Sequence, residues 1–377
     1  MNEDRLRRLL HEAPVPRAER ERTLAVVQQA LRERERVTWP RRHARDLVLS
    51  AAALCVLGAA LSPPGMAVLG SLRDAVGRER VSPSRSALVS LPTAGSLLVQ
   101  SAKGPWVVGA DGSRRLLGPY RDAAWSPHGM YIAATRENEL LALDPHGRVR
   151  WSLARPTVRY PRWVGTRTDT RIAYLSGSRL HLVAGDGTHD VDLCGEPAAA
   201  LVAPAWRPGP GRMLAYATTR GRVYMLDADA CSLSWRSAPY PQPRLLAWSS
   251  DGSVLALVTA AKVVVFHGRR PTVRVFRGVS AAAFEPGTHR LALVRNGAVL
   301  LLDADRPAAP PRRLFAGAGQ FTGLAWSPGG RWLALGWESA DQLLFLRAEG
   351  RGRLLAYSRI TEQFGGGSFP GLRGWCC

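Results

Sequence analysis

The chain has 377 residues, enough for one large globular core with additional segments. Its 51 lysines and arginines outnumber its 30 aspartates and glutamates, and every basic residue except Lys103 and Lys262 is an arginine. The arginines are scattered singly or in pairs and do not form a basic stripe interleaved with aromatics, which argues against a nucleic-acid-binding module. We expect the surplus charge to keep the surface solvated and to attract anionic envelope polymers or lipid headgroups.

Residues 1–46 are predicted to form a cytoplasmic head of two amphipathic helical stretches, separated by Pro14 and Pro16. Leucines and a valine share one face of these stretches, and charged residues cover the other. Two short helices bury little surface alone, so the head either folds on a partner or stays a solvated arm. The predicted partner-binding face consists of Leu6, Leu24, Val27 and Leu31.

A long uncharged segment follows the head, with no charged side chain between Asp46 and Arg73. It predicts a transmembrane helix over residues 47–69, because a span needs about 20 largely apolar residues. A cleaved signal peptide would need a shorter leader, and a core helix would need helical partners. The arginines just before the span predict a cytoplasmic N-terminus and an exoplasmic C-terminal region. Residues 70–80 are expected to be a linker.

A short phrase recurs through the rest of the chain: an aromatic residue, a tight turn and a β-type run. The aromatic residues lie 38, 43, 42, 36 and 42 residues apart. A period near forty with about four short strands per unit is typical of a propeller blade. The repeat predicts an all-β propeller over residues 81–358, and its aromatic anchors are Trp125, Trp163, Trp206, Trp248, Phe284 and Trp326.

An earlier unit without the aromatic begins with a predicted strand at residues 87–91, which gives seven blades of four antiparallel strands. Six or eight blades are the alternatives, because the terminal units are degenerate. Residues 359–377 read as a Gly-rich tail whose end either docks onto the propeller or stays free. The anchors occupy matched positions on inner strands, so we expect them to fill the space between blades and not to stack a ligand.

The phrase Trp-Ser-Pro-x-Gly, as at Trp125 and Trp326, resembles the WD40-like (PD40) repeats of TolB-type β-propellers. This resemblance covers most of residues 81–358 and implies the fold. It implies little about function, because this fold hosts binding proteins and enzymes alike. The Asp that usually precedes the turn glycine survives only at Asp251, so no role is carried over to that position.

The cysteines and histidines do not form a metal-binding pattern, and no cofactor or metal is predicted. Cys194 and Cys231 lie in successive repeats and are a candidate disulfide between neighbouring blades, with two buried free thiols as the alternative.

No catalytic signature is present in the sequence. The chain contains no Gly-x-Ser-x-Gly motif, and the histidines do not pair with a plausible nucleophile. Asp144, Asp227 and Asp303 recur at matching strand ends, where Asp stabilises turns. The chain is therefore predicted not to be an enzyme.

The sequence predicts a single-pass protein of a bacterial cytoplasmic membrane. Its propeller is expected to bind a protein, a peptide or a cell-envelope polymer at one end of the central channel. The alternative comes from the layout of head, span and outer domain, which resembles membrane-bound anti-sigma factors. That resemblance implies a sensing propeller and a head that binds a sigma factor, although the zinc-binding His/Cys pattern of many such heads is absent.

Overall fold

The structure is a computed structural model that describes Arg85 and residues 87–166, 168–209, 211–349 and 354–377. The described residues all belong to one compact unit, which lies within residues 63–377. The predicted head, transmembrane helix and linker lie outside the described residues. Within the described ranges, no helix has the length and apolar character that crossing a bilayer requires.

The described residues form seven sheets, each of four antiparallel strands, and each sheet is one blade. Blade 1 contains β1 (Ser96–Ser101), β2 (Gly104–Val108) and β3 (Arg114–Leu116), together with β28 (Gly371–Cys376). Blade 2 consists of β4 (Asp122–Trp125), β5 (Ile132–Arg136), β6 (Glu139–Leu143) and β7 (Val149–Ala154). Blade 3 consists of β8 (Val158–Gly165), β9 (Thr170–Ser176), β10 (Arg179–Ala184) and β11 (Val191–Asp192).

The remaining blades follow in chain order. Blade 4 consists of β12 (Ala205–Trp206), β13 (Met213–Ala217), β14 (Val223–Asp227) and β15 (Ser232–Arg236). Blade 5 consists of β16 (Pro243–Trp248), β17 (Val254–Thr259), β18 (Lys262–His267) and β19 (Arg270–Val275). Blade 6 consists of β20 (Val279–Phe284), β21 (Arg290–Arg295), β22 (Ala298–Asp303) and β23 (Arg312–Ala316). Blade 7 consists of β24 (Phe321–Trp326), β25 (Trp332–Trp337), β26 (Gln342–Arg347) and β27 (Leu354–Ser358).

The prediction of seven four-stranded antiparallel blades is confirmed. The serine of the repeated phrase explains why the first turn of a blade forms. Ser126, Ser249 and Ser327 are buried, and each hydroxyl accepts a hydrogen bond from a backbone N–H at or just before the start of the next strand, over 3.0–3.1 Å. The glycine that closes the turn has a positive φ, 67° at Gly129, which other residues adopt at a cost. The motif therefore stabilises the turn between the first and second strands of a blade.

The hydrophobic core lies between neighbouring blades. One cluster joins β21 and β22 of blade 6 to β25 and β26 of blade 7, and another joins β13 and β14 of blade 4 to β17 and β18 of blade 5. The second and third strands of a blade are buried on both faces, as β17 shows along its whole length. The outermost strands are largely exposed except β27, in which three of five residues are buried. Each blade is therefore stabilised by its neighbours. An open ring would leave an apolar face of the first and last blades uncovered.

The closing strand differs from the prediction for the C-terminal tail. Residues 87–91 form no strand, and the innermost strand of blade 1 is β28, from residues predicted to lie in the tail. In the β28–β1 register Trp375 faces Leu97 and Leu372 faces Val99, and all four side chains are buried. Gly365, Gly366 and Gly367 have positive φ values, so the Gly-rich run turns the chain back after α1 (Ile360–Gln363). The first and last strands of the propeller thus share one sheet.

Candidate functional site

The candidate site lies at one mouth of the central channel, where the innermost strands of blades 1, 2 and 3 are neighbours. Asp122 begins β4 and lies opposite Thr135 of β5 in the sheet register. Both side chains are buried, with 8% and 1% of their surface exposed. The two Asp122 carboxylate oxygens and the Thr135 hydroxyl form no hydrogen bond to any described residue. Buried polar groups are normally hydrogen-bonded, so these two side chains have capacity for a ligand or for water.

A cavity of about 380 Å³ opens beside these two side chains, and we call it the mouth pocket. Three arginines, one aspartate and one glutamate line it, and two threonines, one valine and one tyrosine complete its wall. Its lining residues are Arg121, Asp122, Thr135, Glu137, Thr157, Val158, Arg159, Tyr160 and Arg373. Positively and negatively charged side chains therefore line the same small cavity.

The backbone at the pocket is irregular. Tyr160 has a φ of 53° and Thr157 a φ of 52°, values in the left-handed region that non-glycine residues seldom adopt. The pairing of β8 with β9 shifts its register between Arg159 and Arg162, and Tyr160 lies inside that shift. Bulges and strained residues of this kind occur often beside functional sites, where they redirect side chains. The bulge allows Arg159 and Tyr160 to line the same pocket.

Two arginines surround the Asp122 carboxylate. Arg373 of β28 places its Nε 3.3 Å from Asp122 Oδ1, in an ion pair without an aligned hydrogen bond. Arg162 of β8 donates through Nη1 to the carbonyl oxygen of Pro161 over 2.8 Å. Burial lowers the pKa of the Arg162 guanidinium, the charge of Asp122 opposes that change, and the charge of Arg373 adds to it. Arg162 nevertheless stays cationic at neutral pH, because an arginine is not deprotonated in a protein.

This arrangement can bind a ligand that carries both a donor and an acidic group. The Asp122 carboxylate and the Thr135 hydroxyl can accept from an ammonium, a guanidinium or an amide N–H. The guanidinium groups of Arg159 and Arg373, which are exposed, can hold a carboxylate or a phosphate. At the outer edge Arg121 pairs with Glu137, with Nη2 and Oε2 3.1 Å apart. Sequence reasoning did not identify these residues, because Asp122 and Thr135 fall at ordinary strand positions.

The predicted blade anchors pack between blades, as expected for structural residues. Trp163, Trp206, Phe284 and Trp326 are buried, and Trp125 and Trp248 are half-buried. The indole Nε1 of Trp206, Trp248 and Trp326 donates to a backbone carbonyl in the innermost strand of the preceding blade, over 2.8, 3.1 and 3.1 Å. None of these anchors lines the mouth pocket.

The two predicted disulfide partners lie side by side. Cys194 follows β11 of blade 3 and Cys231 lies between β14 and β15 of blade 4, with Cα atoms 5.6 Å apart. That separation is within the range of a disulfide. The predicted partner-binding face of the head, Leu6, Leu24, Val27 and Leu31, lies outside the described residues.

One histidine does approach a hydroxyl nucleophile, which the sequence had not predicted. His289 Nε2 lies 2.9 Å from Ser253 Oγ and 3.0 Å from Asp251 Oδ2, and its Nδ1 lies 2.8 Å from Asp305 Oδ1. Hydrogen bonds to Asp251 and then Asp305 raise the pKa of His289. An imidazole that is protonated over a wider pH range is a poorer base for Ser253. We therefore interpret the cluster as an ionic contact between blades 5 and 6.

Comparisons with known proteins support the fold alone. No protein-family model matches the chain, and no curated protein matches it. A solved structure of KlHsv2, with its loop 6CD replaced by a Gly-Ser linker, is 12% identical with a TM-score of 0.50, and the match covers 70% of this chain and 93% of that one. Hydrazine synthase of Kuenenia stuttgartiensis is 14% identical with a TM-score of 0.49, over 60% of this chain and 75% of that one. The chain is thus a seven-bladed β-propeller with propeller-type structural neighbours.

Proposed function

We propose that this protein is a non-catalytic binding platform whose mouth pocket holds a protein or peptide segment, or a cell-envelope polymer with equivalent groups. The observation that carries this proposal is the pair of buried polar side chains, Asp122 and Thr135, that have no hydrogen-bond partner among the described residues. A segment that inserts a basic or amide group toward Asp122 would satisfy both, and Arg373 and Arg159 would hold an adjacent acidic group.

The rigid frame around the pocket supports this function. The pocket is built from the first two strands of blade 2, the innermost strands of blades 1 and 3, and the loops beside them, so its groups are held in place before a partner arrives. Preorganised groups lose little conformational freedom on binding, which favours affinity. The ring closure contributes directly, because Arg373 belongs to the closing strand β28.

Selection from a display library of random short peptides tests the proposal, with the intact chain as bait. We expect the retained peptides to carry a lysine or arginine next to an aspartate or glutamate, and to bind the Asp122→Asn variant more weakly. The matched control is Asp192→Asn, which removes an exposed carboxylate from the outer strand β11. Equal binding to both variants would contradict a role for the mouth pocket.

The membrane part of the proposal rests on residues 41–80 of the sequence, with residues 47–69 as the anchor and the propeller outside the cytoplasm. A reporter enzyme that is active only outside the cytoplasm, fused to the C-terminus, tests this orientation in a bacterial host. An active fusion is expected, and an inactive one that is produced in normal amount would overturn the orientation.

The alternative function is a transmembrane regulator of the anti-sigma type, with residues 1–46 bound to a sigma factor. It is supported by the amphipathic pattern of the head in the sequence. A pull-down with the full chain, beside a variant with Leu24, Val27 and Leu31 changed to Asp, distinguishes the two functions. A sigma factor retained by the native chain alone would favour the regulator, and its absence would leave the binding platform.

A further inference from the structure

The outermost strands of the propeller carry a strong excess of arginine. Across the seven outer strands of the described chain, arginine occurs eight times and an acidic residue once, at Asp192. The whole chain has 51 basic and 30 acidic residues, so the ratio of basic to acidic residues is much higher on the outer strands than in the chain as a whole. The rim arginines are Arg114, Arg115, Arg150, Arg236, Arg270, Arg274, Arg312 and Arg313. Arginines that are scattered in the sequence therefore lie on the outer strands of five of the seven blades.

Three consecutive blades concentrate this charge. We call the outer strands β15, β19 and β23, together with Arg269 at the start of β19, the rim patch. Its six arginines are Arg236, Arg269, Arg270, Arg274, Arg312 and Arg313. In the described part of the chain, none of the six has a carboxylate oxygen within 4.0 Å. Arginines elsewhere are often paired, as Arg155 is with Asp190 at 2.5 Å and Arg212 with Asp229 at 2.7 Å.

Three of the six guanidinium groups are nevertheless held in place. Arg269 donates to the carbonyl of Ser234 over 3.2 Å, Arg274 to that of Ala309 over 2.8 Å, and Arg312 to that of Ala348 over 2.9 Å. Each bond joins one blade to a neighbouring blade, so the groups sit above the clefts between blades. Backbone carbonyls position a guanidinium without neutralising its charge. The rim patch therefore presents ordered, uncompensated positive charge.

We propose that the rim patch binds a linear phosphate-bearing polyanion that is not a nucleic acid. This surface is separate from the mouth pocket and does not depend on the function proposed for it. The aromatic residue of β15, Trp235, is half-buried against Phe266 at 5.1 Å, and the exposed apolar residues of β19 are Val273 and Val275. Bases would find no exposed aromatic platform among these strands. A flexible polymer follows the curved rim across three blades, whereas a flat bilayer contacts a convex rim over a narrow band.

Titration of the intact chain with fluorescently labelled long-chain inorganic polyphosphate, at several salt concentrations, tests the proposal. The rim variant carries Arg236→Gln, Arg270→Gln and Arg313→Gln, three exposed positions that form no inter-blade hydrogen bond among the described residues. The control variant carries Arg277→Gln, Arg331→Gln and Arg347→Gln, three exposed arginines outside the rim patch and the mouth pocket. Both variants lose the same net charge, and circular dichroism verifies that both are folded.

The rim variant is expected to bind polyphosphate more weakly, and the slope of log affinity against log salt should fall by about 2, since each lost contact to a flexible single chain contributes about 0.7. The control variant should keep the native slope. Equal losses in the two variants would reduce the effect to net charge and overturn the proposal. Tighter binding of single-stranded DNA, or of vesicles rich in anionic phospholipid, than of polyphosphate would also overturn it.

Discussion

Replacing Thr135 with valine tests the central observation about the mouth pocket, namely that its buried hydroxyl forms no hydrogen bond to any residue that the structure describes. Thr135 is 1% exposed at the end of the second strand of blade 2. Thr259 ends the second strand of blade 5, one position beyond Val258, which is the counterpart of Thr135, and it is 3% exposed. Its hydroxyl accepts from the N–H of Lys262 over 2.9 Å and of Ala261 over 3.3 Å. Both threonines are buried near the end of a second strand, and they differ in hydrogen bonding.

The two substitutions should change stability in opposite directions. Burying a hydroxyl without a partner costs about 1–3 kcal/mol, so Thr135→Val should raise the free energy of unfolding by about 1 kcal/mol. Thr259→Val removes the acceptor of two backbone N–H groups, which should lower that free energy by about 2 kcal/mol. The expected separation between the variants is therefore about 3 kcal/mol, or several degrees in Tm for a domain of this size.

Urea unfolding of the full chain, followed by far-UV circular dichroism, measures both changes. The same Thr135→Val protein should bind the peptides selected on the native chain more weakly, because a hydroxyl that contacts the ligand has been removed. A loss of stability at Thr135 equal to that at Thr259 would refute the reasoning. It would mean that the Thr135 hydroxyl has a partner inside the protein.

Three further predictions concern contacts between blades. The Cys194–Cys231 disulfide would close a loop of 37 residues, and replacing both cysteines with serine should cost about 4 kcal/mol of unfolding free energy; alkylation of both thiols in the native, unreduced protein would show instead that no bond forms. The pKa of His289 is raised above 6.5, so its contribution to stability is full below pH 6.5 and is lost as the pH rises through the higher folded value. A Tm that falls toward alkaline pH in the native chain, and falls less in His289→Gln, is the expected result, and parallel profiles would contradict it. Trp326→Phe removes the indole hydrogen bond to Ala283 and should cost about 1 kcal/mol more than Trp163→Phe, because the Trp163 Nε1 has no hydrogen-bond partner in the described part of the chain. Equal unfolding midpoints for these two variants would contradict that role of the indole.

The repeated phrase was sufficient to predict the architecture, because it encodes local structure. The serine hydroxyl, the turn glycine and the following β-type run act within a few residues of one another, so each copy specifies its own hairpin wherever it occurs. The recurrence near forty residues then implies similar blades in a ring. The predictions on the head and the span lie outside the described residues and remain predictions.

The closing strand could not be predicted in the same way. Gly371–Cys376 has no strong alternation and follows a glycine run, and it becomes a strand because β1 lacks an inner neighbour. Its pairing with Ser96–Ser101 joins residues more than 270 positions apart. No local pattern carries that information.

The sequence by itself determined the four-stranded blade unit and the turns that begin the blades, since these follow from short-range hydrogen bonding and from the period of the repeat. It left six, seven or eight blades open, and the closed ring decided their number. The tertiary structure alone decided the mouth pocket and the rim patch. Asp122 and Thr135 pair across the first hairpin of blade 2, and Arg373 reaches Asp122 because the ring brings the innermost strands of blades 1 and 2 together. The arginines of β15, β19 and β23 form one surface because every fourth strand faces outward, which places residues about forty apart in sequence side by side in space.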